Sequence, residues 1–283
     1  MAQPKMTDLV VQYLEQCKKR GDRFVRLSNF SGEPEKKSEI SQLATPMKKE
    51  DSSFLFQEIP AASSLEEKNW NLPEGDKRTK LERLGQIARV CQKCSHLAAT
   101  RTQVVYGVGN IDAKLMLVGE APGADEDRLG EPFVGRAGQL LNKMLEAMGL
   151  SRTEIYISNV LKCRPNMPPG VPGNRKPTIA EMETCLPYLK KQIELIQPQA
   201  IVALGATAVT GLLGVEAPIG KLRGRWLEFQ NIPVMPTYHP AYLLRNQSNS
   251  EKRKVWEDLL MVMERLNMSI SEKQKNYFIN VTR

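Results

Sequence analysis

The chain has 283 residues, 41% hydrophobic and 25% charged, the balance of an ordinary globular protein built as one large domain or one domain with appendages. No apolar run approaches the ~20 residues a bilayer span needs, and the N-terminus lacks a signal-peptide core. A membrane-spanning helix is therefore not expected, and a cytoplasmic location is. The net charge of +8 makes a polyanionic partner plausible.

Met6 to Lys19 is predicted as a short amphipathic helix, placed within residues 1–20, with Thr7 as its cap and Cys17 on its apolar face. Residues 21–76 show no sustained period and are rich in Ser, Glu, Lys and Pro, so a disordered linker is expected. Regular structure resumes at Lys77 to Val90, where Leu81, Leu84, Ile87 and Ala88 mark one helical face that delivers Cys91 and Cys94. Short strands are expected at Val104 to Val108 and Leu115 to Val118. The second stops at the turn Gly119-Glu120-Ala121-Pro122-Gly123.

A helix follows over Arg136 to Met148, ended by Gly149. Ile155 to Val160 reads as a strand, and Pro165 to Pro177 as an irregular loop. Thr178 opens a long helix to Ile196, Ala200 to Leu204 is a buried strand, and Gly205 starts a short helix. Gly220 to Arg225 is a basic loop. Trp226 to Phe229 and Ile232 to Met235 form a hairpin pair around Gln230-Asn231, before a last helix at Val255 to Leu266 and a polar tail over 271–283. Strands alternating with helices imply a mostly parallel sheet covered on both faces, filling residues 77–270.

The Gly107-x-Gly109 pair precedes a strand instead of following one, and no Walker sequence follows any strand, so a nucleotide cofactor is not expected. Cys91-x-x-Cys94 is joined later by Cys163 and Cys185. Four thiolates suit a [4Fe–4S] cluster or tetrahedral zinc, and the presence of only one close pair leans toward iron–sulfur. His96 and His239 are the only two histidines. His96 is read as structural. His239, at a strand end and held by Pro240, is the candidate for chemistry.

These residues resemble the family 4, iron–sulfur uracil-DNA glycosylases. The resemblance rests on Gly119–Gly123, Glu131-Pro132-Phe133-Val134-Gly135, Ser158–Pro165 and His239–Asn246, and on the four cysteines in order. It implies a three-layer α/β/α sandwich that removes uracil from DNA, acting as a monomer. It also implies roles: Glu120, Ala121 and Pro122 line the uracil pocket and help place the attacking water. Phe133 stacks on the flipped base, Asn159 reads its edge, and His239 donates to uracil O2. Cys91, Cys94, Cys163 and Cys185 bind the [4Fe–4S] cluster. Leu243 or a neighbour in the same segment is the expected wedge into the duplex, while Lys162, Arg164, Lys221, Arg223, Arg225 and Arg245 are expected to meet phosphates. Two rival readings are a sister glycosylase of broader range, acting for instance on hypoxanthine, and a non-catalytic Fe–S DNA-binding module.

Overall fold

The computed structural model describes residues 70–168, 171 and 173–279. The helix expected within residues 1–20 and nearly all of the expected linker lie outside the described residues. The first helix, α1 (Lys77–Arg89), is capped by the Asp76 carboxylate, which accepts from Thr79 N at 2.8 Å. A single turn, α2 (Ser95–Ala98), follows the first two cysteines.

Six strands form one sheet: β1 (Val108–Gly109), β2 (Leu115–Gly119), β3 (Tyr156–Asn159), β4 (Ala200–Leu204), β5 (Leu227–Phe229) and β6 (Ile232–Thr237), in the order β1-β3-β2-β4-β6-β5. The four central strands run parallel, and antiparallel β1 and β5 close the two edges. Alternation along β2 builds the layers. Leu115 and Leu117 pack against α4 (Arg136–Met148) and α9 (Asn249–Arg265). Met116 and Val118 face α5 (Ile179–Ile196) and α6 (Ala206–Leu213) on the other side. Because both faces are covered, β2, β3 and β4 are buried throughout, as the continuous apolar runs require. The three-layer α/β/α expectation holds.

Several boundaries differ from expectation. Only the end of the Val104–Val108 run pairs in the sheet, because Gly107 and Gly109 turn the chain at φ 130° and 128°. The hairpin closes through Gln230 and Asn231 at φ 49° and 64°, the left-handed pair that matches strand twist. Short helices escaped the periodicity: α2, α3 (Ala124–Leu129), α7 (Ile219–Leu222) and α8 (Pro240–Arg245). The expected polar tail is instead docked through α10 (Glu272–Lys275). Trp256 Nε1 donates to the Gln274 carbonyl at 2.6 Å, and Gln274 Nε2 donates to the Ala147 carbonyl at 2.9 Å. At the other end, Trp70 and Leu72 already pack on the apolar cluster around Leu84 and Leu97, seven residues earlier than the expected start at Lys77.

Candidate active site

The parallel strands end at one edge of the sheet, and the side chains just beyond them converge. Gly119, last in β2, lies in register with Asn159, last in β3. A Cβ on Gly119 would collide with Asn159 Oδ1 and lie 2.6 Å from Phe133 Cζ, so the absence of a side chain is what admits both groups to one place. Asn159 is only 2% exposed, and its Oδ1 has no hydrogen-bond partner. An unpartnered buried acceptor is expensive in a native structure and points to a missing donor.

Phe133 stacks on His239, with ring centroids 5.5 Å apart and planes 29° from parallel. His239 caps α8, with Pro240 in its first turn; its Nδ1 accepts from Ala241 N at 3.1 Å, which leaves the ring proton on Nε2. Burial pulls the His239 pKa down to about 4, with the Arg245 charge adding to the fall and Glu126 opposing it. The imidazole is therefore neutral at physiological pH and still a donor. Gly205, at φ 96°, follows β4 where a Cβ would press to 3.2 Å from His239 Cβ. The β4 end thus makes room for the histidine.

Glu120 leaves β2 beside this cluster. Burial raises its pKa, against a hydrogen bond from Thr207 and the charge of Lys176. Pro122 is buried, while Ala121 leans on the apolar cluster that contains Cys163 and Cys185. Two residues that sequence reasoning missed organise these loops. The Glu126 carboxylate accepts from Gly123 N (3.1 Å), Val134 N (3.0 Å) and Gly135 N (2.9 Å), tying the turn after β2 to the loop carrying Phe133. Arg152 donates to the Pro132 and Phe133 carbonyls at 2.7 and 3.1 Å. Glu126 had a readable signal, an acid three residues into a helix opened by glycine. Arg152 had none, since its partners are backbone atoms about 20 residues away.

Three expected DNA contacts are turned inward. Leu243 is 6% exposed and belongs to the core; its neighbour Leu244 is the half-exposed one, because the helical turn of α8 sends adjacent side chains to different sides. Arg223 is held by the buried Asp258, with Nη2–Oδ1 at 2.8 Å and Nε–Oδ2 at 3.0 Å, and by the Lys254 carbonyl. Lys162 is fully buried, donating to Ser158 Oγ (2.5 Å), Gln192 Oε1 (2.6 Å) and the Asn159 carbonyl (2.9 Å). Arg164 is half-buried and bonds the Gly173 carbonyl at 2.9 Å. Lys221, Arg225 and Arg245 are exposed.

On the far side of Lys162, Cys91, Cys94, Cys163 and Cys185 line one enclosed pocket. Cys163 Sγ accepts from Arg101 Nη1 at 3.2 Å and Cys185 Sγ from Lys162 N at 3.3 Å. Burial pushes the Cys185 thiol up to about 12, and raises Cys94 and Cys163 as well. Among the described residues no three His, Cys, Asp or Glu side chains converge tightly enough to hold a single metal ion. His96 bonds Glu181 at 2.7 Å, which also pairs with Arg175 at 2.6 Å. Burial works against the Glu181 charge, but the bonds from Arg175, Thr178 N and His96 outweigh it and hold its pKa at about 2.

A parallel sheet thus gathers a planar aromatic, a buried unpartnered amide oxygen and a neutral imidazole at its carboxyl end. The family model for the uracil DNA glycosylase superfamily matches residues 106–260, and the chain belongs to that superfamily. Its relatives sharpen the placement. A type-4 uracil-DNA glycosylase of Thermotoga maritima is 46% identical over 63% of this chain and 91% of the relative. One from Archaeoglobus fulgidus is 43% identical over 62% of this chain and 94% of its own length. A type-5 uracil-DNA glycosylase of Pyrobaculum aerophilum stands further off, at 33% identity over 54% of this chain and 79% of that protein. The type-4 branch is the one this chain joins. No described helix is long and apolar enough to cross a membrane.

Proposed function

We propose that this chain is a DNA repair glycosylase that hydrolyses the N-glycosidic bond of uracil in DNA and leaves an abasic site. The observation that carries the reading is the unpartnered Asn159 Oδ1 beside the Phe133 ring and the bare Gly119 backbone. Uracil brings the missing donor, N3–H, and accepts at O4 from the same amide. Cytosine presents the opposite pattern and would leave the buried amide unpaired, which gives large discrimination. The base must leave the helical stack to reach this pocket, where the Phe133 face replaces its lost neighbours.

As the glycosidic bond breaks, negative charge collects on uracil O2 and the sugar becomes cationic. His239, protonated on Nε2 and otherwise neutral, donates to that oxygen. Glu120, with Ala121 and Pro122, places the attacking water. Exposed Lys221, Arg225 and Arg245 neutralise phosphates, and of the two candidates Leu244, not the buried Leu243, takes the wedge role.

The four pocket cysteines suit a [4Fe–4S] cluster: two sulfurs already receive N–H donors, and Arg101 supplies positive charge against the thiolates. Once bound, the cluster supplies a cross-link between the α1–α2 junction, the chain after β3 and α5, away from the base. Anaerobically purified protein is expected to be brown, with a broad band near ~400 nm that is lost in Cys185→Ser. Colourless protein with stoichiometric zinc would refute the cluster.

The function itself is tested on single oligonucleotides carrying uracil, hypoxanthine or neither, with alkaline cleavage reporting abasic sites. Cleavage at uracil alone is expected. Release of hypoxanthine at a similar rate would favour the broader sister activity, and tight binding with no release would favour a non-catalytic module.

A further inference from the structure

Phe133 is held in a conformation its own chemistry resists. Its φ of 54° lies in the left-handed region, where a bulky L-residue is a genuine outlier. The conformation persists because the backbone around it is pinned on three sides. Gly138, in the first turn of α4, has no side chain; a Cβ there would overlap the Phe133 carbonyl, so that carbonyl lies directly against the helix. Glu126 holds the two amides that follow, Val134 N and Gly135 N. Arg152 holds the two carbonyls at and before the ring, Pro132 O and Phe133 O, and braces itself on Asn142 Oδ1 at 3.3 Å.

Gly138 and Glu126 act from within the segment that follows β2. Arg152 comes from the turn before β3 and so locks this loop to the strand that presents Asn159. A fork of two N–H donors on adjacent carbonyls fixes a peptide plane as well as a position, which a lysine cannot do.

We infer that Arg152 is a positioning residue for base recognition: by clamping the Pro132 and Phe133 carbonyls it keeps the Phe133 ring edge-on to Gly119 and stacked on His239. The inference rests on the uracil-recognition reading for its kinetic consequence, though not for its geometry. Arg152 touches no base; it acts through the ring alone.

Arg152→Met keeps most of the stem and removes both donors. Because stacking holds the flipped base in ground and transition states alike, KM for a uracil oligonucleotide should rise about tenfold while kcat stays within about twofold. In a Phe133→Ala background the same substitution should change KM less than about twofold, since the ring it serves is gone. Equal losses in both backgrounds, or no loss in either, would overturn the inference. A 4-fluorophenylalanine at position 133 reads the ring without substrate: one sharp ¹⁹F line is expected in the parent and a shifted, broadened line in Arg152→Met. An unchanged line overturns the clamp even if uracil release is normal, and a shifted line in a parent inactive on uracil would sink the function while sparing the clamp. Should Arg152→Met fail to accumulate, Arg152→Lys, whose single ammonium centre lacks the rigid fork that spans both carbonyls, should give an intermediate KM and the same cycle.

Discussion

His239→Ala is expected to lower kcat for uracil release by about 10²–10³ while the Kd for undamaged DNA changes less than about twofold. The expectation follows from where the proton sits. Nδ1 is committed to Ala241 N, so Nε2 carries the only hydrogen the ring can offer, and it does so without a positive charge. A neutral donor meets the leaving base only as charge develops on it, which is why the loss falls on kcat. A comparable loss in DNA affinity would make the histidine a packing residue instead.

The same group shapes the pH response. With its pKa near 4, His239 does not titrate across the physiological range, so kcat should show no step near 6.5. An acid limb should come instead from Glu120, whose carboxyl loses its proton at higher pH than usual because it is buried. Stability carries a matching signature. The folded-state value lies below the unfolded 6.5, so the unfolded chain binds the extra proton first. The contribution is complete above 6.5 and is lost as pH falls toward 4, about 3 kcal/mol in all. Urea titrations of parent and His239→Ala at pH 7 and pH 4.5 should show the shallower pH dependence in the variant.

Gly119→Ala should cut recognition about a hundredfold with the fold intact. Its strand conformation suits alanine, so nothing in the backbone objects. The added methyl instead overlaps Asn159 Oδ1 and sits 2.6 and 2.7 Å from the Phe133 ring atoms Cζ and Cε2, closer than carbon atoms tolerate. Amide and ring must part, and a displacement of about 1 Å at a site of this kind costs about a hundredfold in kcat/KM. Circular dichroism and any iron–sulfur absorbance should match the parent, because Met116 and Val118 still pack on α5 and α6. Retained activity would mean that the base does not approach β2 as closely as the bare backbone allows.

Much of this was legible before any coordinates. Apolar runs ended by glycine located β2 and β4, the Gly149 stop located α4, the Thr178 start located α5, and the Gln230-Asn231 pair located the hairpin. What periodicity could not see were elements held by polar contacts. The start of α9 depends on Ser248, which caps Glu251 N at 3.3 Å ahead of the charged run Glu251 to Lys254, so the apolar pattern placed it six residues late at Val255. The C-terminal segment reads as polar, yet Gln274 docks it through both its backbone carbonyl and its side-chain amide. Arg223 and Lys162 look like phosphate contacts because they are basic and lie near the site loops. Only packing reveals that one neutralises Asp258 and the other fills a buried polar network.

By itself the sequence determined the parallel sheet and its covering helices, because side-chain periodicity and turn chemistry are local properties of the chain. It also determined which residue types are on hand for the site: Asn159 and His239 where strands end, Phe133 on the loop before α4, and the four cysteines. Tertiary structure alone decided that Gly119 leaves room for the ring and the amide together, that the His239 proton rests on Nε2, and that Glu126 and Arg152 hold Phe133 in a left-handed turn. Those outcomes depend on distances between groups many residues apart, and on burial that changes the strength of every charge and hydrogen bond among them; neither is written in the order of residues.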